Sequence, residues 1–218
     1  SFCKTCQSGI LSALAIVLPI MAGVLVLSGE GVSIIYRRGE FGAQAARETS
    51  YALRLMCIGM PCYCMIELCN RMMYSKTKTK VPMVAALAGA LSNLLCCLAL
   101  IRIPQLRVGS LTLASAIGQL VACVILIAAL YKSCAGIFEK TFLFSFLKLL
   151  AAAACSFFVM WLCHRFFGKD PYTDGFLRNV LCCCIVFFPG LLAYGGMLKL
   201  LRFRLKISKK EEVLREDN

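Results

Sequence analysis

The stretch that decides the fold is Val81–Ile101, "VPMVAALAGALSNLLCCLALI", 21 residues without one charged side chain. A helix needs about 20 mostly apolar residues to cross the hydrocarbon core of a bilayer. The same pattern recurs at Ile10–Leu27, Tyr51–Met73, Leu111–Tyr131, Phe142–Cys163 and Val180–Leu198, and charge, Gly or Pro separates each run from the next. The composition agrees: 60% of the 218 residues are hydrophobic, 16% are charged and the mean hydropathy is +0.80, far from the balance of a soluble domain. The runs are continuous rather than alternating, which excludes a β-barrel, and lipid leaves only the helical alternative. The expected class is all-α: a polytopic transmembrane helical bundle of six spans.

In a soluble chain a net charge of +13 would suggest nucleic acid; here it reads as a topology signal, and no nucleic-acid partner is expected. With the first span running outward, most of the 24 cations fall on the cytoplasmic side, among them Lys4, Arg71, Lys76, Lys78, Lys80, Lys132, Lys140, Lys199 and the basic residues from Arg202 to Arg215. Both ends are therefore expected inside, although "YRRGEFGAQAAR" places a basic loop outside. Lys76, Lys78 and Lys80 then form a cytoplasmic elbow. "SFCKTCQSG" has one early lysine and no small-residue cleavage site follows the first run, so no cleavable signal peptide is expected. The chain opens on Ser rather than Met, which suggests a piece of a longer protein.

Fifteen cysteines raise the question of a metal or of disulfides. Most lie in apolar runs, where a thiol packs as a small hydrophobe. Cys3 and Cys6 make one C-x-x-C, but no second pair stands at zinc spacing, and the single histidine, His164, reads as an interfacial residue beside the belt residue Trp161. No metal and no cofactor is expected. Neither a nucleophile elbow, a zinc-protease motif nor a P-loop is present, so catalytic residues and an enzyme activity are not expected either.

Polar groups inside spans are costly and mark function by default. Glu67 reads as the one acid well inside a span. It precedes Arg71 by four residues on one helix face at ion-pair distance, with Asn70 beside them. Two readings stay open: an ion pair near the inner interface with Arg71 snorkelling to water, or a polar cavity lining. Ser92 and Asn93 in the third span, and Ser115 and Gln119 in the fourth, suit interhelical hydrogen bonds or contact with a cation or headgroup. Pro19, Pro61 and Pro189 permit kinks, helped by Gly59 and Gly190. Ala85 and Gly89 give the third span a small-residue face for internal packing, whereas the Phe-rich fifth span suits lipid or an acyl chain.

These residues also carry a resemblance. "LPIMAGVLVLSGEGVSIIYRRGEF" (18–41), "ETSYALRLMCIGMP" (48–61) and "ELCNRMMYSKTKTKVP" (67–82) resemble successive segments of the MurJ/MviN lipid II flippases, within the multidrug/oligosaccharidyl-lipid/polysaccharide exporter superfamily. Pro19, Arg38, Gly39, Phe41, Pro61, Tyr74, Lys80 and Pro82 occupy family-motif places. Lys78 and Val81 depart from the pattern, where an acid and a threonine are common.

The resemblance implies the last six of fourteen helices of a two-lobed, alternating-access transporter. Residues 1–133 would supply four helices of the C-terminal lobe, 134–201 an extra pair with a lipid-tail groove, and 202–218 a cytoplasmic tail. It also implies translocation of lipid II across the bacterial cytoplasmic membrane, with lipid II or a related polyprenyl-pyrophosphate lipid, membrane lipids and an N-terminal lobe as partners. The family's arginine-rich cluster belongs to that lobe, so no residue of it maps here. Substrate-binding candidates in this segment are Arg54, Glu67, Asn70, Arg71 and Asn93, with Asn93 and Ser115 as a candidate cation pair. Two alternatives remain: an exporter of another polyprenyl-linked saccharide or small molecule, and a non-transporting truncated membrane partner.

Overall fold

The structure, a computed structural model, describes residues 2–36, 41–101, 108–133, 140–168, 170–172 and 175–201. Arg38, Gly39, Cys134 and the 202–218 tail lie outside the described residues. The described residues form seven helices and no strand: α1 Phe2–Tyr36, α2 Ala43–Ile58, α3 Met60–Ser75, α4 Lys80–Leu100, α5 Val108–Ser133, α6 Lys140–Phe167 and α7 Phe176–Leu200. Five are long and apolar enough to cross a membrane. The pair α2–α3, bent by 43° at Gly59, makes a sixth if its two halves cross as one span. The bend falls where expected, because Pro61 sits in the first turn of α3 and starts a new helix. Gly59 lets α5 approach closely: a Cβ there would stand 2.5 Å from the Gln119 Oε1, and that side chain would have to move.

The first span departs from expectation. It continues past Leu27 to Tyr36, and its break lies at Leu27 (φ −101°, ψ 16°) rather than at Pro19. Two glycines flank Glu30 just beyond, and weak helix formers make the ladder cheapest to interrupt there. At Pro19 the loss is repaired. Proline cannot donate to the Ala15 carbonyl four residues back, and that carbonyl accepts a 2.9 Å hydrogen bond from the Tyr194 hydroxyl of α7.

α1 is the hub of the bundle. Ile10, Leu14 and Leu18 share a core with Cys69 and Met73 of α3, Ala85 of α4, Leu126 and Leu130 of α5, and Leu149 of α6. Further along, Ala22, Val26 and Leu27 join Met160 of α6 and Val186 of α7. The expected small face of the third span is present: Ala85 and Gly89 are buried, and the Gly89 and Gly118 backbones meet so closely that a Cβ on either would stand under 3.0 Å from the other's carbonyl oxygen. The rest of α4 is not internal, since Met83, Leu87, Leu91, Leu94 and Leu98 are exposed. The Phe-rich α6 likewise buries Leu149, Ala152, Ser156 and Met160 and exposes Phe144, Phe158 and Phe166.

The helix ends are closed by specific groups. α3 finishes in a Schellman motif, in which the Lys78 N–H reaches the Met73 carbonyl at 3.0 Å and the Thr77 N–H the Tyr74 carbonyl at 2.9 Å. Thr77 takes the left-handed position (φ 57°) that glycine usually fills. The elbow lysines then serve α5: Lys76 Nζ donates to the Ser133 carbonyl and Lys78 Nζ to its hydroxyl, both at 3.0 Å. Lys148 of α6 does the same for Leu201 at the end of α7, at 2.9 Å. Each cation meets the negative end of a helix dipole.

Candidate functional site

Beyond the break at Leu27, α1 turns a polar face inward: Ser28, Glu30 and Ser33 are all buried, Glu30 to 2% exposure. Three other helices converge on it. From α6, His164 Nε2 lies 2.6 Å from Glu30 Oε1; from α7, Cys182 Sγ lies 3.9 Å from the same oxygen; from α2, Arg54 Nε donates to Ser28 Oγ. The second carboxylate oxygen, Oε2, is buried and without a partner. Burying a carboxylate in a bundle is expensive unless it is paired and bonded, so this cluster must be met by cations or donors from its neighbours.

The connection between α6 and α7 covers the cluster. A Cβ on Gly29 would run into the Pro171 ring at 2.8 Å and stand 3.3 Å from the Tyr172 hydroxyl. Asn179 Nδ2 holds the Pro171 carbonyl at 3.0 Å. Arg47, near the start of α2, pairs with Asp170 at 3.1 Å and lies over the Tyr172 ring, 5.1 Å from its centroid. That pair is well exposed and contributes little energy, but it shows that the start of α2 and the α6–α7 connection share one end of the molecule.

The expected site residues fall into separate places. Arg54 belongs to the buried cluster through Ser28. Glu67 and Arg71 stand on the exposed side of α3, where Tyr63, Glu67, Arg71 and Tyr74 follow one another at spacings of four, four and three. This is a polar stripe on one helix face. Of the two readings left open for Glu67 and Arg71, the ion pair is not formed; the ion pairs between described residues include Arg47–Asp170 and His164–Glu30. Closing an exposed pair costs side-chain entropy about equal to its gain. Asn70 is half-buried, with a buried Oδ1 that has no partner. Asn93 packs against Gly118 of α5, while the Ser115 hydroxyl donates to the Leu111 carbonyl at 3.0 Å, and no hydrogen bond joins Asn93 to Ser115 among the described residues. Of the motif residues, Phe41 rests against Tyr36 with ring centroids 5.9 Å apart, Pro82 is buried, and Tyr74 and Lys80 are exposed.

Glu30 is the residue missed in the sequence, and two expectations change with it. Glu67 is not the one acid within a span, and His164 is not merely interfacial, because it holds a buried carboxylate. The legible signal was "VSIIY" after "SGEG": a second apolar segment that carries the helix past the acid.

Five long apolar helices and the bent α2–α3 pair, with a buried polar cluster and a polar stripe on an exposed face, define a polytopic α-helical membrane protein. The sequence model of the family described as "Lipid II flippase MurJ" matches residues 1–179, and the chain belongs to that family. It is similar to the probable lipid II flippase MurJ of Bdellovibrio bacteriovorus, 27% identical over 157 residues, covering 70% of this chain and 29% of that protein. Similarity to the probable lipid II flippase MurJ of Haemophilus influenzae extends further along the chain: 25% identity over 203 residues, covering 93% of this chain and 39% of that protein. The chain thus spans well under half the length of the curated relatives it matches.

Proposed function

We propose that this chain is the C-terminal portion of a transporter that moves lipid II across the bacterial cytoplasmic membrane by alternating access. It would supply the last six of fourteen helices and work with an N-terminal lobe. Family membership supports the substrate class. The single observation that carries a role for these residues is the exposed stripe of Tyr63, Glu67, Arg71 and Tyr74 on α3. Ionisable groups on a membrane helix are too costly to face acyl chains, so such a stripe faces water or a second lobe.

In this reading 1–133 is the lobe proper and α6–α7, within 134–201, offers its exposed phenylalanines to the lipid tail. The 202–218 segment is a cytoplasmic tail. Arg71 and Arg54 would compensate the desolvated pyrophosphate, with Glu67, Asn70 and Asn93 completing the lining and Asn93 with Ser115 meeting a cation.

The test uses cells whose own lipid II flippase can be switched off. The intact protein restores lipid II to the outer leaflet, and either Arg71→Glu or Glu67→Arg abolishes that. The double exchange stays inactive, because each side chain acts on the substrate rather than on the other. Restored transport in the double exchange would make the two a structural pair and overturn the lining role. Failure of the unaltered protein to restore outer-leaflet lipid II would overturn the substrate.

A further inference from the structure

We propose that Glu30, His164 and Cys182 bind one divalent transition-metal ion of the zinc class. The three residues come from α1, α6 and α7, and their ligand atoms all lie within 4.8 Å of one another. Carboxylate oxygen, imidazole nitrogen and thiolate sulfur together suit zinc and its transition-metal neighbours, whereas magnesium and calcium take oxygen. Around a tetrahedral ion with bonds of about 2.0–2.3 Å, ligand atoms stand roughly 3.3–3.8 Å apart. The observed separations from Glu30 Oε1, 2.6 Å to His164 Nε2 and 3.9 Å to Cys182 Sγ, bracket that range.

The independent pointer to a ligand is the partnerless Oε2 of Glu30, on a side chain 2% exposed. A carboxylate this buried with one oxygen unsatisfied is costly, and an ion beside it removes the cost. The carboxylate and a thiolate neutralise a divalent ion, and the Arg54 cation is already engaged by the Ser28 hydroxyl. The His164 side chain is 29% exposed, which leaves a path for the ion. A bound ion would add to the contacts by which His164, Cys182 and the α6–α7 connection hold the polar half of α1.

The intact protein in detergent is loaded with zinc, dialysed and assayed for metal by mass spectrometry. About one equivalent more is expected in the unaltered protein than in Cys182→Ala. Cys184→Ala, which alters an exposed neighbour, retains it. Cobalt in place of zinc gives a near-ultraviolet thiolate-to-metal band that Cys182→Ala loses. Equal metal in the unaltered protein and Cys182→Ala overturns the proposal, as does absence of bound metal from the unaltered protein. X-ray absorption on the unaltered protein needs no variant: one sulfur with nitrogen and oxygen neighbours supports the site, and an all-sulfur shell moves the metal to other thiols and overturns it.

Discussion

The hydroxyl of Tyr194 does for α1 what the missing N–H of Pro19 cannot, and this single contact shows how a membrane helix tolerates proline. With no water in the core, an orphaned carbonyl must find a donor inside the protein. Tyr194→Phe removes that donor and is expected to lower stability by about 1 kcal/mol, the usual scale of interhelical bonds in membranes. In a Pro19→Ala background position 19 regains its N–H, residue 15 regains its intrahelical bond, and the Phe substitution costs much less. Equilibrium unfolding in mixed micelles across the four proteins measures the coupling; equal penalties in both backgrounds would sink the account. The proline was legible in the sequence, but its partner was not. Position 194 lies 175 residues further along the chain, and only the packing of α7 on α1 brings them together. Glu30 was hidden for a related reason. "SGEG" reads as the end of a span when polarity is scored locally, whereas His164 and Cys182, which make the buried acid tolerable, come from distant helices.

Among elements, α4 packs almost wholly on α5, and two glycines bring the two backbones together. A Cβ on Gly118 would stand 2.7 Å from the Gly89 carbonyl oxygen and 2.9 Å from the Asn93 Cβ; the first is rigid backbone. Gly118→Val therefore forces the helices apart and is expected to cost about 1–3 kcal/mol. Gly195→Ala, where a Cβ meets nothing within 4 Å, is expected to be neutral or slightly stabilising. Thermal unfolding in detergent compares the two, and a Gly118→Val midpoint matching that of the unaltered protein would remove the close approach as the source of α4–α5 affinity. The small-residue spacing of Ala85 and Gly89 announced this contact in the sequence, because helices in lipid associate where backbones can meet. The exposed remainder of α4 was not announced. An apolar face suits protein and lipid equally, so hydropathy carries no information about which of the two covers it.

For the whole molecule, the contacts sort the connections into two ends. Arg47–Asp170 joins the start of α2 to the α6–α7 connection, while the elbow lysines reach the last residue of α5 and Lys148 reaches the end of α7. This is the alternation that six antiparallel spans require, and it holds only if α2 and α3 together cross the membrane once. Charge bias then gives the expected absolute direction, with the lysine-capped end on the cytoplasmic side. Thr79 and Gly175 stand at opposite ends and both are exposed, so a cysteine at either reports the direction. In intact cells an impermeant maleimide is expected to add label over the native background for Gly175→Cys and none for Thr79→Cys, which reacts once the cells are opened. The reverse pattern would invert the molecule and put the polar cluster around Glu30 at the cytoplasmic end. Label from outside at both sites would mean that the bent α2–α3 pair enters and leaves by the same face. The sequence could frame this choice but not close it, since cations stand on both sides and give only an imbalance of charge. The helix-capping geometry turns the lysine side of that imbalance into a structural end.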